Sequence, residues 1–319
     1  MRREIPMKQF CFLLLTLMVM VPLAFSQDTV ADSTLQEAAV ETDTTAATPE
    51  EAVETGFQQD ITADSISAAA DTLAADTTAA LPEEAGDPIA ELMAKGDALA
   101  DEWEHGEAAG IYLQILETDS QNYEAAWKAG DELTEQANQL PEKAKEEKEA
   151  GFAQAVALCE RAIAINPDGW EGHLYLAKAL GRLALFRGGK EKINMSRRIR
   201  EEVDKTLALN PESDLAYHIL GRWHQNLANL SWLLKSFAKI LYGGVPPGTN
   251  EEAVEAFQKA IQYNPDNIVH YLELARTYQY MGKKSMMIDP LNKVLELPPT
   301  EEDDAEYKEE AREMLEKAR

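Results

Sequence analysis

The reactive side chains of this 319-residue chain are few and poorly spaced for catalysis. Five histidines stand at 105, 173, 218, 224 and 270, and none belongs to a His-Glu-x-x-His pair that would put two imidazoles on one helix face for a metal. His218 and His224 are six residues apart, a spacing that does not share one helix face well. Gly188-Gly189-Lys190 lacks the rest of a phosphate-loop pattern and the strand that precedes one. Cys159 falls at a helix-packing position near Ala155 and Ala162, where a thiol serves as a small apolar side chain. The other cysteine, Cys11, lies in an apolar leader, so no internal disulfide is expected in the mature chain. No nucleophile has a base in view. The expectation is a non-enzymatic chain without metal or cofactor; an enzyme would need a deep pocket gathering His218, His224 and Arg222 with carboxylates.

Cations, by contrast, recur at a structural period. Lys178, Arg222 and Arg276 occupy equivalent places in three successive helical hairpins. On the same expected concave face lie Trp127 and Asp131, then Arg182, then His218, Gln225 and Asn226, then Gln279 and Tyr280. A ladder of cations in a groove suits a carboxylate-bearing or acidic peptide, held by charge-assisted hydrogen bonds. The alternative is that each cation pairs with a neighbouring glutamate on a solvated face, which is common and contributes little.

Positioning that ladder requires a repeating scaffold, and the period is visible. Proline closes successive segments at 167, 211, 265 and 299, with Ser120 in the equivalent slot of the first. Small and large residues fall at nesting positions: Gly96, Ala108, Tyr112 and Ile115 in the first unit, Gly130, Ala155, Cys159 and Ala162 in the second, Tyr217, Leu220, Gly221, Ala253, Phe257 and Ala260 in the fourth, and Tyr271, Leu274, Ala275, Tyr278 and Gly282 in the fifth. This spacing resembles the tetratricopeptide (TPR) repeat. It gives units over about 89–122, 123–169, 170–213, a fourth interrupted from about Asn226 to Asn250, and 268–301, with a polar last helix from Thr300 that caps the stack. No period-2 strand pattern is present. The expected fold is an all-α TPR-like solenoid of about five repeats over 89–319.

A more specific resemblance rests on longer strings. Lys192-Ile193-Asn194-Met195-Ser196, Leu209-Asn210-Pro211, His218-Ile219-Leu220-Gly221-Arg222-Trp223 and Ala228-Asn229-Leu230-Ser231-Trp232 are similar to the regulator of microtubule dynamics family. So are Gly243-Gly244, Pro246-Pro247, Thr249-Asn250-Glu251-Glu252-Ala253 and the Thr300-Glu301-Glu302-Asp303 start of the last helix. The resemblance spans about 123–319 and is strongest over 170–300. It implies a TPR-like fold and, for the animal members, roles at microtubules, mitochondria and membrane contact sites. The front of this chain departs from the family, so the fold carries over and the microtubule role does not. The implied relative is a bacterial, envelope-located scaffold or binding protein.

That front has two parts. Arg2, Arg3 and Lys8 precede an apolar run from Phe10 to Phe25, and Ala24-Phe25-Ser26 offers a cleavage site, which reads as a signal peptide over 1–26. An uncleaved anchor is the other reading, although the run is short of the roughly 20 residues that span a bilayer. Residues 27–88 are rich in Ala, Thr, Asp and Glu and lack Lys and Arg, the composition of a disordered linker. Of the formal net charge of −27, residues 27–87 carry −15 and the first 26 carry +2, leaving −14 for 88–319. So acidic a body lacks the basic footprint of a nucleic-acid binder. The expected location is exported, periplasmic or envelope-associated. The 27–87 stretch is itself a candidate acidic occupant of the groove.

Two stretches fit a different contact. Residues 182–200 are locally basic, and the interruption of the fourth unit carries an apolar segment with Trp232, Lys235 and Lys239 over 228–244. Such a segment either dips into a membrane surface or packs against the solenoid, as amphipathic stripes ordinarily do. A peripheral membrane-contact protein is therefore the alternative function. Oligomeric state is not legible.

Overall fold

The computed structural model describes residues 87–318, and every regular element among them is helical. The leader over 1–26 and nearly all of the acidic stretch lie outside the described residues. The helices pair as antiparallel hairpins: α1 (Pro88–Asp101) with α2 (His105–Thr118), α3 (Tyr123–Gln139) with α4 (Lys145–Ile165), and α5 (Trp170–Leu183) with α6 (Gly189–Leu209). The last two are α7 (Asp214–Ala228) with α9 (Asn250–Tyr263), and α10 (Ile268–Tyr280) with α11 (Lys284–Glu296). Helix α8 (Trp232–Tyr242) interrupts the fourth hairpin, and α12 (Asp304–Ala318) follows the fifth. This is the all-α, TPR-like array that the repeat spacing implies.

Side chains set the hairpin ends. Asp119, Asn166 and Asn210 each accept the backbone N–H two residues on, at 3.1, 3.2 and 3.2 Å. The first of these turns needs no proline, which is how Ser120 stands where Pro167 and Pro211 stand. The next helices then begin on caps: Asn122, Ser213 and Asn267 accept from the N–H groups of Ala125, Ala216 and Val269.

Within a hairpin the helices touch through glycine. A Cβ on Gly130 would lie 2.5 Å from the Cys159 Sγ, and one on Gly221 would lie 2.6 Å from the Phe257 ring. Cys159 is buried, the packing role expected of it. The buried clusters run from Ala108 to Leu315 and draw on these helices, on Leu297 just after α11 and on Leu230 and Val245 of the interruption, so the array has a core of its own. Helix α12 joins that core through Ala311, Met314 and Leu315.

One packing expectation fails. Helix α8 does not lay its apolar face on the solenoid. Only Ala238 is buried, while Trp232 and Ile240 are 77% and 78% exposed and Leu233, Leu234, Phe237 and Leu241 are exposed with them. The stem, not the face, holds the helix. Asn229 and Asn250 exchange side-chain hydrogen bonds at 2.8 and 3.3 Å, and Lys235 donates to the Ala228 carbonyl at 2.9 Å. Gly243 and Gly244, with φ of 78° and 106°, turn the chain out of α8 in a conformation that a side chain would strain.

Candidate functional site

The first helix of each hairpin places the expected cations in register, and the structure supplies a carboxylate for most of them. Lys178 of α5 lies between Asp131 and Glu135 of α3, at 2.5 and 2.6 Å. Burial opposes the charge on Lys178, but the two carboxylates hold its pKa above the usual ammonium value. The carboxylates in turn compete for one ammonium. Burial pushes Asp131 up, while against burial Lys178 holds Glu135 below the ordinary range. One hairpin on, Arg222 of α7 and Arg276 of α10 both grip Glu273 of α10. Glu273 is fully buried, and its Oε2 also accepts from Gln225 Nε2 at 3.1 Å. Burial alone would raise the Glu273 carboxyl; Arg222 and Arg276 bring it below its usual value.

The next carboxylates come from the chain's own end. Glu310 of α12 closes a two-pronged ion pair on Arg276, with Nε donating at 2.8 Å. At the first residue of α12, the buried Asp304 carboxylate accepts from the backbone N–H groups of Thr300 and Glu301, at 2.7 and 2.9 Å, and fixes the preceding turn. That turn carries Glu302 across the array: it accepts from Gln139 Nε2 at 2.9 Å and stands 3.5 Å from His105 Nε2. An acidic segment of the fifth hairpin's exit thus reaches the second hairpin. Arg182 differs from the other cations, with no carboxylate in ion-pair range among the described residues. It is exposed, and its field is felt by Glu135, His218 and Tyr307.

The remaining expected residues divide. Trp127 is stacked on Tyr175 at 5.0 Å, and Gln225 is buried in the Glu273 network, bonded also to Thr277 Oγ1 at 3.0 Å. Asn226 and Gln279 are exposed. His218 faces the next hairpin, its Nδ1 3.0 Å from Nδ1 of buried His270, whose Nε2 lies 3.1 Å from Asp214. The two Nδ1 atoms share one hydrogen bond across the hairpin boundary, and Asp214 stands at the far nitrogen of His270. Burial, and then the neighbouring His270, push the His218 pKa down to about 3. His224 points elsewhere, toward Arg200 and Glu252, so His218, His224 and Arg222 do not gather in one pocket. No group of metal-ligating side chains occurs among the described residues.

Sequence reading missed the anions that complete this face. Glu273 had a visible signal, a carboxylate inside the apolar run Leu272-Glu273-Leu274-Ala275. Glu302 and Glu310 had none, since nothing local marks a glutamate whose partner is more than a hairpin away. The second expected surface, α8 with Lys235 and Lys239, stands apart from the concave face on the α6 side of the array.

Comparisons agree with the geometry. Residues 92–319 match the family model described as regulator of microtubule dynamics protein 1-3. Regulator of microtubule dynamics protein 1 of Bos taurus is 28% identical over 229 residues, 71% of this chain and 71% of that protein. The Caenorhabditis elegans protein of the same name is 34% identical over 156 residues, 49% of this chain and 69% of its own. Among solved structures, a thermophilic TPR protein of Thermus thermophilus superposes with a TM-score of 0.53 at 15% identity, covering 70% of this chain and 98% of that one. That likeness speaks for the fold alone. With a family model matched along the whole array, the chain belongs to the regulator of microtubule dynamics family.

Proposed function

We propose that the chain is a non-enzymatic interaction module whose concave face takes an acidic segment of a partner protein. The TPR-like array supports a protein-interaction scaffold in general. The single observation that carries the acidic partner is that the face already holds acidic side chains in trans between hairpins, with Glu310 on Arg276 and Glu302 beside Gln139 and His105. Arg182 remains without a carboxylate there and is the first anchor for one. The names of the animal relatives refer to microtubule dynamics; that role stays with them, because an exported chain would not meet cytosolic microtubules. The leader and acidic stretch read from the sequence extend the proposal to an envelope location, which fractionation of a tagged chain tests.

The binding test uses residues 87–319, which have a core of their own, and a separate 27–87 peptide as the acidic probe. Binding that weakens with salt and is lost in Arg182→Ala is expected. Absence of salt-sensitive binding, or binding unaffected by Arg182→Ala, overturns the reading.

A further inference from the structure

We propose that α8 is a membrane-docking element that lies on the surface of an anionic bilayer, a contact separate from the concave face and independent of its occupant. Trp232, Leu233, Leu234, Phe237, Ile240 and Leu241 project into solvent from one eleven-residue helix. Isolated exposed apolar residues are ordinary, but six on one short helix form a patch that a soluble surface does not keep without use. The helix is also held away from the array. Its base is clasped by the Asn229–Asn250 pair and by Lys235 on the Ala228 carbonyl, so it presents this face as a fixed projection.

Charge selects the occupant. In an array that carries −14, no Asp or Glu occurs from Asn226 to Asn250. Lys235 and Lys239 lie together on the side of α8 opposite Phe237 and Leu241, and neither has a carboxylate in ion-pair range among the described residues. Arg197 of the adjoining α6 donates to the Gly244 carbonyl just after α8 at 3.3 Å, and it too lacks a carboxylate, as does Lys190 two turns earlier on the same side of α6. Elsewhere in that basic segment Arg187, Arg198 and Arg200 are each paired with an acid. Arg197, Lys235 and Lys239 thus form a group of cations without acids at α8. A wide apolar arc bordered by lysines, of which the exposed Lys239 reaches upward to headgroups, is the pattern of an interfacial helix. No described helix is long and apolar enough to cross a membrane, so the contact is with the surface.

The test is co-sedimentation of residues 87–319 with phosphatidylcholine vesicles, with and without phosphatidylglycerol. Binding to the anionic vesicles alone is expected. It should be lost in Phe237→Glu with Ile240→Glu at an unchanged melting temperature, since both side chains are exposed. Lys239→Gln should weaken it by about fivefold, the factor that corresponds to ~1 kcal/mol per cation near an anionic surface. Should the double variant melt early, Ile240→Cys carrying an environment-sensitive dye replaces it, because Cys159 is buried and unlabelled. A blue shift on anionic vesicles supports docking, and unchanged emission overturns it. Two further results overturn it: vesicle binding unaffected by the variants, or a dimer without vesicle binding that Phe237→Glu converts to a monomer, which would assign α8 to a second copy.

Discussion

Arg222 and Glu273 join the fourth and fifth hairpins through an ion pair of unequal halves: the arginine side chain is 43% exposed and the glutamate 1%. The asymmetry decides which member the fold depends on. Glu273→Ala leaves Arg222 and Arg276 facing one another without their shared anion and takes from Gln225 one of its two side-chain acceptors. Breaking a buried pair in this way costs about 3–5 kcal/mol. Arg222→Ala costs less, because Arg276 still neutralises Glu273. Urea unfolding of the two variants should rank them in that order, and equal losses would show that the carboxylate is not the keystone.

The nesting glycines give a second, opposite pair. Gly221→Ala puts a methyl group 2.6 Å from the Phe257 ring, and overpacking of this kind costs about 1–3 kcal/mol. Gly181, also helical, has nothing within 4 Å of its would-be Cβ. There the substitution should be neutral or stabilise by up to ~1 kcal/mol, the helix propensity difference. Chemical denaturation of both variants checks the contrast.

These two cases mark what the sequence made legible. Gly221 and Phe257 belong to one repeat, and their spacing announces a close helix contact because the hairpin geometry is local. The Arg222–Glu273 pair crosses from one hairpin to the next, and sequence spacing places both on first helices without saying which acid answers which base. The ladder at Lys178, Arg222 and Arg276 was therefore readable as cations and unreadable as ion pairs. Helix α8 shows another limit. Its apolar pattern is the same whether the face covers a core or leaves it, and only the position of the stem, set by Asn229 and Asn250, decides that Trp232 and Ile240 face outward.

His218 predicts a pH dependence. Its folded pKa lies near 3 against an ordinary value of 6.5, so the unfolded chain takes up a proton that the folded chain refuses. Stability should consequently fall as pH drops below about 6.5 and continue to fall toward about 3. His105 has the opposite sign: its hydrogen bond to Glu132 raises its pKa against burial, so its contribution is full below 6.5 and fades as pH rises through the raised value. His218→Asn keeps a side chain that can donate or accept near His270 and removes the titration. Melting temperatures at pH 7 and pH 5 should differ less in that variant than in the parent, and an unchanged difference would clear His218 of the effect.

The last prediction concerns the acidic turn that bridges the array. Gln139 and Glu302 are 163 residues apart in sequence and joined by a 2.9 Å hydrogen bond, with His105 beside them. Both side chains of the pair are at the surface, so in residues 87–319 Gln139→Cys with Glu302→Cys should fold normally and supply the reactive thiols, Cys159 being buried. A short bis-maleimide should link the two within one molecule, read as a tryptic cross-linked peptide by mass spectrometry. Glu302 contributes one surface hydrogen bond and a glancing contact to a histidine, worth about 1 kcal/mol together, so this contact is the weak one of the turn while Asp304 holds its base. If the concave face takes an acidic segment, locking the turn across it should weaken binding of the 27–87 peptide, while Glu302→Gln, which loosens it, should strengthen binding. Efficient cross-linking with no change in peptide affinity would separate the two: the turn would be a strut of the array, and the acidic probe would be held elsewhere.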